Sequence, residues 1–181
     1  MPLLDRDDSV LVVVDAQPGF LPDDAKRTVE RIAWLVAVAA RLGIPIVATE
    51  EEPERHGATA VALPADARVF RKPTFGLAGS PEILEAVRGT DRRTAVVVGA
   101  ETDVCVAQSA IGLHEAGFAC SVVEDATFSP GEMHERGLAR LAAEGIPRNH
   151  AKGVTYEWLR TVDDAHSVLR DSTLPTPPFR L

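Results

Sequence analysis

The chain has 181 residues, 45% hydrophobic and 25% charged, proportions that suit one folded domain spanning 1–181 and exclude wholesale disorder or a fibrous class. A formal net charge of −8 argues against nucleic-acid and membrane-surface partners, both of which select basic proteins, and leaves a small molecule as the better fit. No apolar run approaches the roughly 20 residues that span a bilayer, Met1–Asp8 has no basic and apolar leader pattern, and Cys105 and Cys120 are too few for a disulfide framework, so a reducing, cytoplasmic location is expected.

In chain order, Ser9-Val-Leu-Val-Val-Val-Asp15 is β-branched without alternation, the pattern of a strand buried on both faces of a parallel sheet. From Asp24 to Arg41, Val29, Ile32, Ala33, Val36 and Ala40 recur at helical spacing, and Gly43 stops the helix. Ile44–Thr49 reads as the second strand, followed by an acidic loop, Glu50–Gly57. Arg68–Lys72 is a short strand ahead of Pro73, and Ser80-Pro81 caps and opens a helix to Arg88. Thr94–Ala100 is the second strongly apolar strand, Val104–Ala116 a helix stopped by Gly117, and Phe118–Val123 another strand. The pattern then predicts a helix over Met133–Glu144, a last strand over Gly153–Tyr156 and a last helix over Asp163–Arg170. The proline-rich tail, Leu174–Leu181, reads as an extended arm for exchange with a neighbouring copy. Strands alternating with helices indicate a parallel sheet covered on both faces, in which ligands bind beyond the carboxyl ends of the strands.

Three polar residues stand at such ends. Taken singly, Asp15 reads equally as a turn aspartate, Lys72 as a solvated surface lysine and Cys105 as a small buried hydrophobe. Together each supplies what the others need. A thiolate is favoured by a helix amino terminus and by an ammonium, Thr102 or Asp103 is placed to cap the helix that starts near Cys105, and a carboxylate raised by burial can carry the proton.

The order Asp, Lys, Cys within "VVVDAQPGF", "FRKPTFG" and "VVVGAETDVCV" resembles the isochorismatase-like cysteine hydrolase family, with G-x-x-T-D-x-C-V as its most specific part. The resemblance covers nearly the whole chain and implies a three-layer α/β/α sandwich with a mainly parallel six-stranded sheet, Rossmann-like in character. It implies a catalytic triad in which Asp15 is general base and then acid, Lys72 stabilises and Cys105 forms a covalent adduct with an amide-type substrate. It also implies a non-proline cis peptide between Ala100 and Glu101 that turns the Glu101 and Cys105 N–H groups into an oxyanion hole. Gln17, Phe20, Phe75 and Thr102 become substrate-binding candidates, and a homo-oligomer (dimer, tetramer or larger) is expected.

Metal-using nicotinamidases of that family carry an Asp-x-His and a nearby second His after the second strand. Here the place reads Thr49-Glu-Glu-Glu-Pro-Glu-Arg-His56, so no metal and no cofactor is expected. His114, His134, His150 and His166 lack ligand-like spacing, and Cys120 sits among strand residues. Glu101 is a departure beside the oxyanion hole: facing the pocket it would repel anions and bind an amine, and it can equally face solvent or a subunit contact. The reading is therefore a metal-free hydrolase of a C–N amide-type bond with an unassigned substrate. The alternative is a catalytically idle oligomeric member that binds a metabolite or a protein. A signalling receiver lacks the required acidic pair, and no G-x-G-x-x-G follows a strand, which disfavours a dinucleotide enzyme.

Overall fold

The computed structural model describes residues 2–180; Met1, which opens the amino-terminal stretch, and Leu181, which closes the expected arm, lie outside them. Six strands, β1 (Ser9–Val14), β2 (Ile46–Glu50), β3 (Arg68–Arg71), β4 (Thr94–Ala100), β5 (Ala119–Phe128) and β6 (Arg148–Asn149), form one sheet in the order β3-β2-β1-β4-β5-β6. Every pairing is parallel. Side chains of a strand alternate between faces, and each face meets its own helical layer. Leu11, Val13, Val96 and Val98 join the layer of α1 (Lys26–Arg41), α6 (Ala151–Leu159) and α7 (Val162–Leu169). Val10, Val12, Ala95 and Val97 join that of α3 (Pro81–Arg88), α4 (Ala107–Glu115) and α5 (Met133–Ala143). A one-turn helix, Pro53–His56, lies within the acidic loop and is α2. This is the expected three-layer sandwich.

The continuous apolar runs of β1 and β4 are explained by burial on both faces: every residue of β1 is buried, and so is every residue of β4 after Thr94. Each fully buried Val or Leu stabilises the fold by about 1.5–3 kcal/mol. The two buried indoles keep their N–H groups paired, Trp34 with Thr155 Oγ1 at 2.9 Å and Trp158 with Ser9 Oγ at 3.1 Å.

Two expectations are corrected. Gly153–Tyr156 lies inside α6, because Ala151, Val154, Thr155 and Trp158 bury one helical face and the His150 ring accepts the Gly153 N–H at 3.0 Å; the sixth strand is the two-residue β6 before it. The fifth strand runs on to Phe128 across an irregular register between Val97 and Gly99. In the tail, Leu174 and Phe179 cover the α1–α6 core, and Phe179 meets Trp34 edge-on at 6.0 Å.

Gly99 of β4 is approached by the backbone of β1 too closely for any side chain. Its φ is 126°, and a Cβ there would stand 1.8 Å from Val14 O, on the backbone residue just before Asp15. Gly99→Ala is expected to lower stability by about 3 kcal/mol or more in urea denaturation, whereas Gly145→Ala, with φ of 73° and open space around it, costs about 1 kcal/mol. Equal costs at the two positions would contradict the close-approach argument.

Candidate active site

Strand order reverses between β1 and β4, since β2 and β3 lie on one side of β1 and β5 and β6 beyond β4. The carboxyl ends of β1, β2, β3 and β4 deliver Asp15, Glu51, Lys72 and, one turn later, Cys105 to the crevice at that reversal. Asp15 takes a left-handed φ of 44°, which aspartate tolerates better than most residues, and its N–H donates to Thr49 O at 3.1 Å. Thr49 Oγ1 donates to Asp15 Oδ1 at 2.7 Å. Asp15 Oδ2 faces Lys72 Nζ at 2.8 Å, with both side chains 0% exposed, and is otherwise without a hydrogen-bond partner among the described residues.

Lys72 reaches this point because its backbone N–H donates to Glu50 O at 2.8 Å, extending the β2–β3 pairing by one residue before the chain leaves the sheet. Its ammonium meets the Asp15 carboxylate of β1's end, two strands away in the sheet. Nζ also donates to Thr74 O at 2.7 Å and lies 3.7 Å from Cys105 Sγ and 3.8 Å from Glu51 Oε2. Cys105 Sγ in turn contacts Glu51 Oε2 at 3.4 Å. Asp15, Glu51 and Cys105 offer ligand-type atoms within 4.8 Å of one another, and the cation already standing among them is the Lys72 ammonium.

Cys105 sits in a π-helical turn, Thr102–Val106, that precedes α4, and the Ala100–Glu101 peptide is cis. Neither Thr102 nor Asp103 caps the helix as expected. Asp103 accepts from Ser129 Oγ at 2.6 Å and the Thr102 hydroxyl pairs with His134 Nδ1 at 2.9 Å, so both tie the turn to neighbouring elements. The N–H groups of Val104 and Val106 converge on Glu101 O at 3.2 and 2.9 Å, and the Cys105 N–H between them makes no such bond. Gly137 of α5 allows the turn its close seat, since a Cβ there would lie 2.7 Å from Asp103 Cα.

Burial shifts both acids. It raises Asp15 above the ordinary carboxylate range, with Lys72 and then Thr49 opposing. It also pushes the Cys105 thiol up, seconded by the Asp15 charge and opposed by Lys72. Desolvation of the sulfur thus opposes the expected thiolate, and the ammonium beside it is shared with Asp15.

Other candidates take different places. Gln17 is fully buried and clamps the acidic loop, accepting from Glu51 N at 2.7 Å and donating to Glu51 O at 3.0 Å and Gly57 O at 2.6 Å, so its amide has no free group for a substrate. Thr102 is likewise buried and spent on His134. Phe20 stacks on His56 with ring centroids 4.3 Å apart and packs against the core. Phe75 is 56% exposed and borders a cleft of about 380 Å³ with Glu51, Lys72 and Thr74, room enough for a small molecule. The residues that sequence reasoning missed are Thr49 and Glu51. The available signal was a polar side chain at the exit of an apolar strand, the same signal that marked Asp15.

The Isochorismatase domain matches residues 9–150, which include Asp15, Lys72 and Cys105. Isochorismatase domain-containing protein 2 of Danio rerio is 30% identical over 166 residues, covering 87% of this chain and 80% of the relative. Among solved structures, the MAR1 ribonuclease of Caenorhabditis elegans superposes with a TM-score of 0.81 at 21% identity, covering 98% of this chain and 99% of that one. The YcaC product of Escherichia coli, described as an octameric hydrolase of unknown specificity, gives 0.78 at 22% identity over 93% and 90%. The pyrazinamidase of Pyrococcus horikoshii in complex with zinc gives 0.70 at 22% over 79% and 99%. A domain match over most of the chain and a relative 30% identical across most of both chains place the chain in the isochorismatase domain family.

Proposed function

We propose that the protein is a cysteine hydrolase that cleaves a small-molecule C–N amide-type bond without a metal. The observation that carries this reading is the meeting of Asp15, Lys72 and Cys105 in one buried contact set at the sheet's reversal point. Cys105 Sγ attacks the carbonyl carbon as its proton passes to the Asp15 carboxylate. The oxyanion is received by the N–H groups of Glu101 and Cys105. Asp15 then protonates the leaving nitrogen, the C–N bond breaks, and a thioester remains. Water attacks the thioester, Asp15 takes its proton and returns it to sulfur, and the carboxylic acid leaves. Lys72 remains charged throughout, holding Asp15 in place and stabilising sulfur while it is anionic. The reading is supported by a fold shared with an amidase, the Pyrococcus pyrazinamidase.

The acid and sulfur atoms that stand near enough together to hold a metal, those of Asp15, Glu51 and Cys105, already share the Lys72 ammonium. Glu50 is spent on Thr59 N and Oγ1 at 2.7 and 2.8 Å, and His56 is stacked on Phe20. No step is routed through a metal. The likeness to a ribonuclease, at 21% identity, carries the fold alone, and a net charge of −8 opposes a polyanionic substrate. Self-assembly is part of the proposal, supported by the octameric YcaC relative and by Phe75 standing exposed at the cleft rim.

Iodoacetamide is expected to alkylate Cys105, with the Lys72 ammonium 3.7 Å from its sulfur, on the order of 100-fold faster than Cys120, whose sulfur lies buried in β5 against the Phe118 carbonyl, as read by peptide mass spectrometry. Equal labelling counts against an activated sulfur. Asp15→Asn is expected to lower turnover by on the order of 1,000-fold without loss of secondary structure, and unchanged turnover removes its proton-transfer role. Substrates are sought among primary amides, N-carbamoyl compounds and hydroxamates by ammonia or amine release. Because burial raises Asp15, the acid limb of the pH–rate profile should lie above the ordinary carboxylate value of about 4; a limb at or below it contradicts the base assignment.

Lys72→Met leaves Asp15 buried and unpaired and is expected to cost about 3–5 kcal/mol at neutral pH. In that variant folded Asp15 binds its proton more tightly than unfolded Asp15, so the deficit should shrink as pH falls through the folded-state value. A deficit independent of pH in urea titrations would show that Asp15 is not the group left exposed to the loss.

A further inference from the structure

We propose that Glu51, with Glu101 close by, selects amide substrates that carry a protonated amine near the bond to be cleaved. This rests on the assignment of Cys105 as nucleophile. Glu51 Oε2 is 3.4 Å from Cys105 Sγ, nearer than the Lys72 ammonium at 3.7 Å. Unlike Asp15, whose side chain is sealed, Glu51 is 22% exposed and borders the cleft, so a bound molecule meets its carboxylate first. Among the described residues no N–H or O–H group donates to that carboxylate. The backbone beneath it is fixed at both its N–H and its carbonyl by the buried Gln17 amide.

The charges at the cleft do not balance. Lys72 is matched to Asp15 at 2.8 Å and stands 3.8 Å from Glu51, and the neighbouring Arg71 is held by both oxygens of Glu54 at 2.5 and 2.7 Å. Glu101, half-buried and without a side-chain partner among the described residues, is pushed up by burial and then by Asp103 and Glu51, with His56 opposing. Attack by Cys105 moves negative charge from the Asp15 carboxylate, which takes the thiol proton, onto the carbonyl oxygen. A substrate ammonium supplies the missing cation in both ground state and transition state, while a carboxylate-bearing substrate meets repulsion from Glu51 and Glu101, so discrimination comes from attraction and exclusion together.

Charge-matched thiol reagents test this without a known substrate. Native protein is treated with methyl, 2-aminoethyl and 2-sulfonatoethyl methanethiosulfonate, and each rate at Cys105 is divided by the rate of the same reagent with 2-mercaptoethanol. The normalised cationic rate should exceed the anionic rate on the order of 100-fold, and Glu51→Gln should shrink that ratio roughly tenfold, the effect of one nearby charge in a partly screened site. Glu101→Gln should shrink it less, in the same direction. Glu82→Gln, an exposed carboxylate on α3, should leave it unchanged and so separates local selection from the field of the acidic chain. A ratio that Glu51→Gln does not move, or that Glu82→Gln moves equally, overturns the proposal. The neutral methyl reagent keeps the two readings apart: failure of Cys105 to react with it defeats the nucleophile assignment, whereas brisk neutral labelling without charge preference defeats only the selectivity.

Discussion

The buried Asp15–Lys72 ion pair is the constraint on which the rest of the structure depends. Removing either ion from water costs several kcal/mol, and the pair is tolerable only where further hydrogen bonds complete each partner. Thr49 does this for Asp15 and Thr74 O for Lys72. These groups come from the ends of β1, β2 and β3, so the pair closes only when three parallel strands stop level with one another. A slip of one residue in either pairing turns a charged side chain toward the apolar layers. The register of the sheet and the assembly of the site are thus one condition, with Gly99 setting how closely β4 and its cysteine come to β1.

The same burial tunes the chemistry. A thiolate kept permanently beside a bare ammonium would be a good nucleophile, but it would have no use for Asp15. Here desolvation raises both the carboxyl and the thiol, and Lys72 opposes both shifts. In the proposed reaction sulfur and carboxylate exchange one proton within a set of fixed net charge, which avoids creating a new unpaired ion in a dry site.

Much of this was legible in the sequence, and the residues explain which parts. Uninterrupted runs such as Val10–Val14 and Ala95–Val98 can only be strands packed on both faces, and they place the polar residues that follow them at the sheet's working edge. The α6 segment was misread because a short Gly-Val-Thr-Tyr run is β-like in composition, and only the wider Ala151–Trp158 spacing carries its helical face. Two residues cannot define a strand by pattern, so β6 left no trace. The roles of Gln17, Thr102 and Asp103 depend on partners 26–40 residues away. Glu51 was hidden by its company: in Glu50-Glu-Glu52 the three like residues face the loop residue Thr59, the crevice and solvent, and only the fold distinguishes them.

The Gln17 amide joins the first and last parts of the acidic loop through a single fully buried side chain. A loop tied in this way has already surrendered its conformational entropy before any ligand arrives, so the affinity of a correct substrate is not diminished by the cost of ordering it. In the proposed role of Glu51, recognition on this wall is rigid, closer to a fixed template than to a closing hand. Variation in what the pocket accepts would come from exchanging side chains on the tethered loop, with its backbone path left as it is.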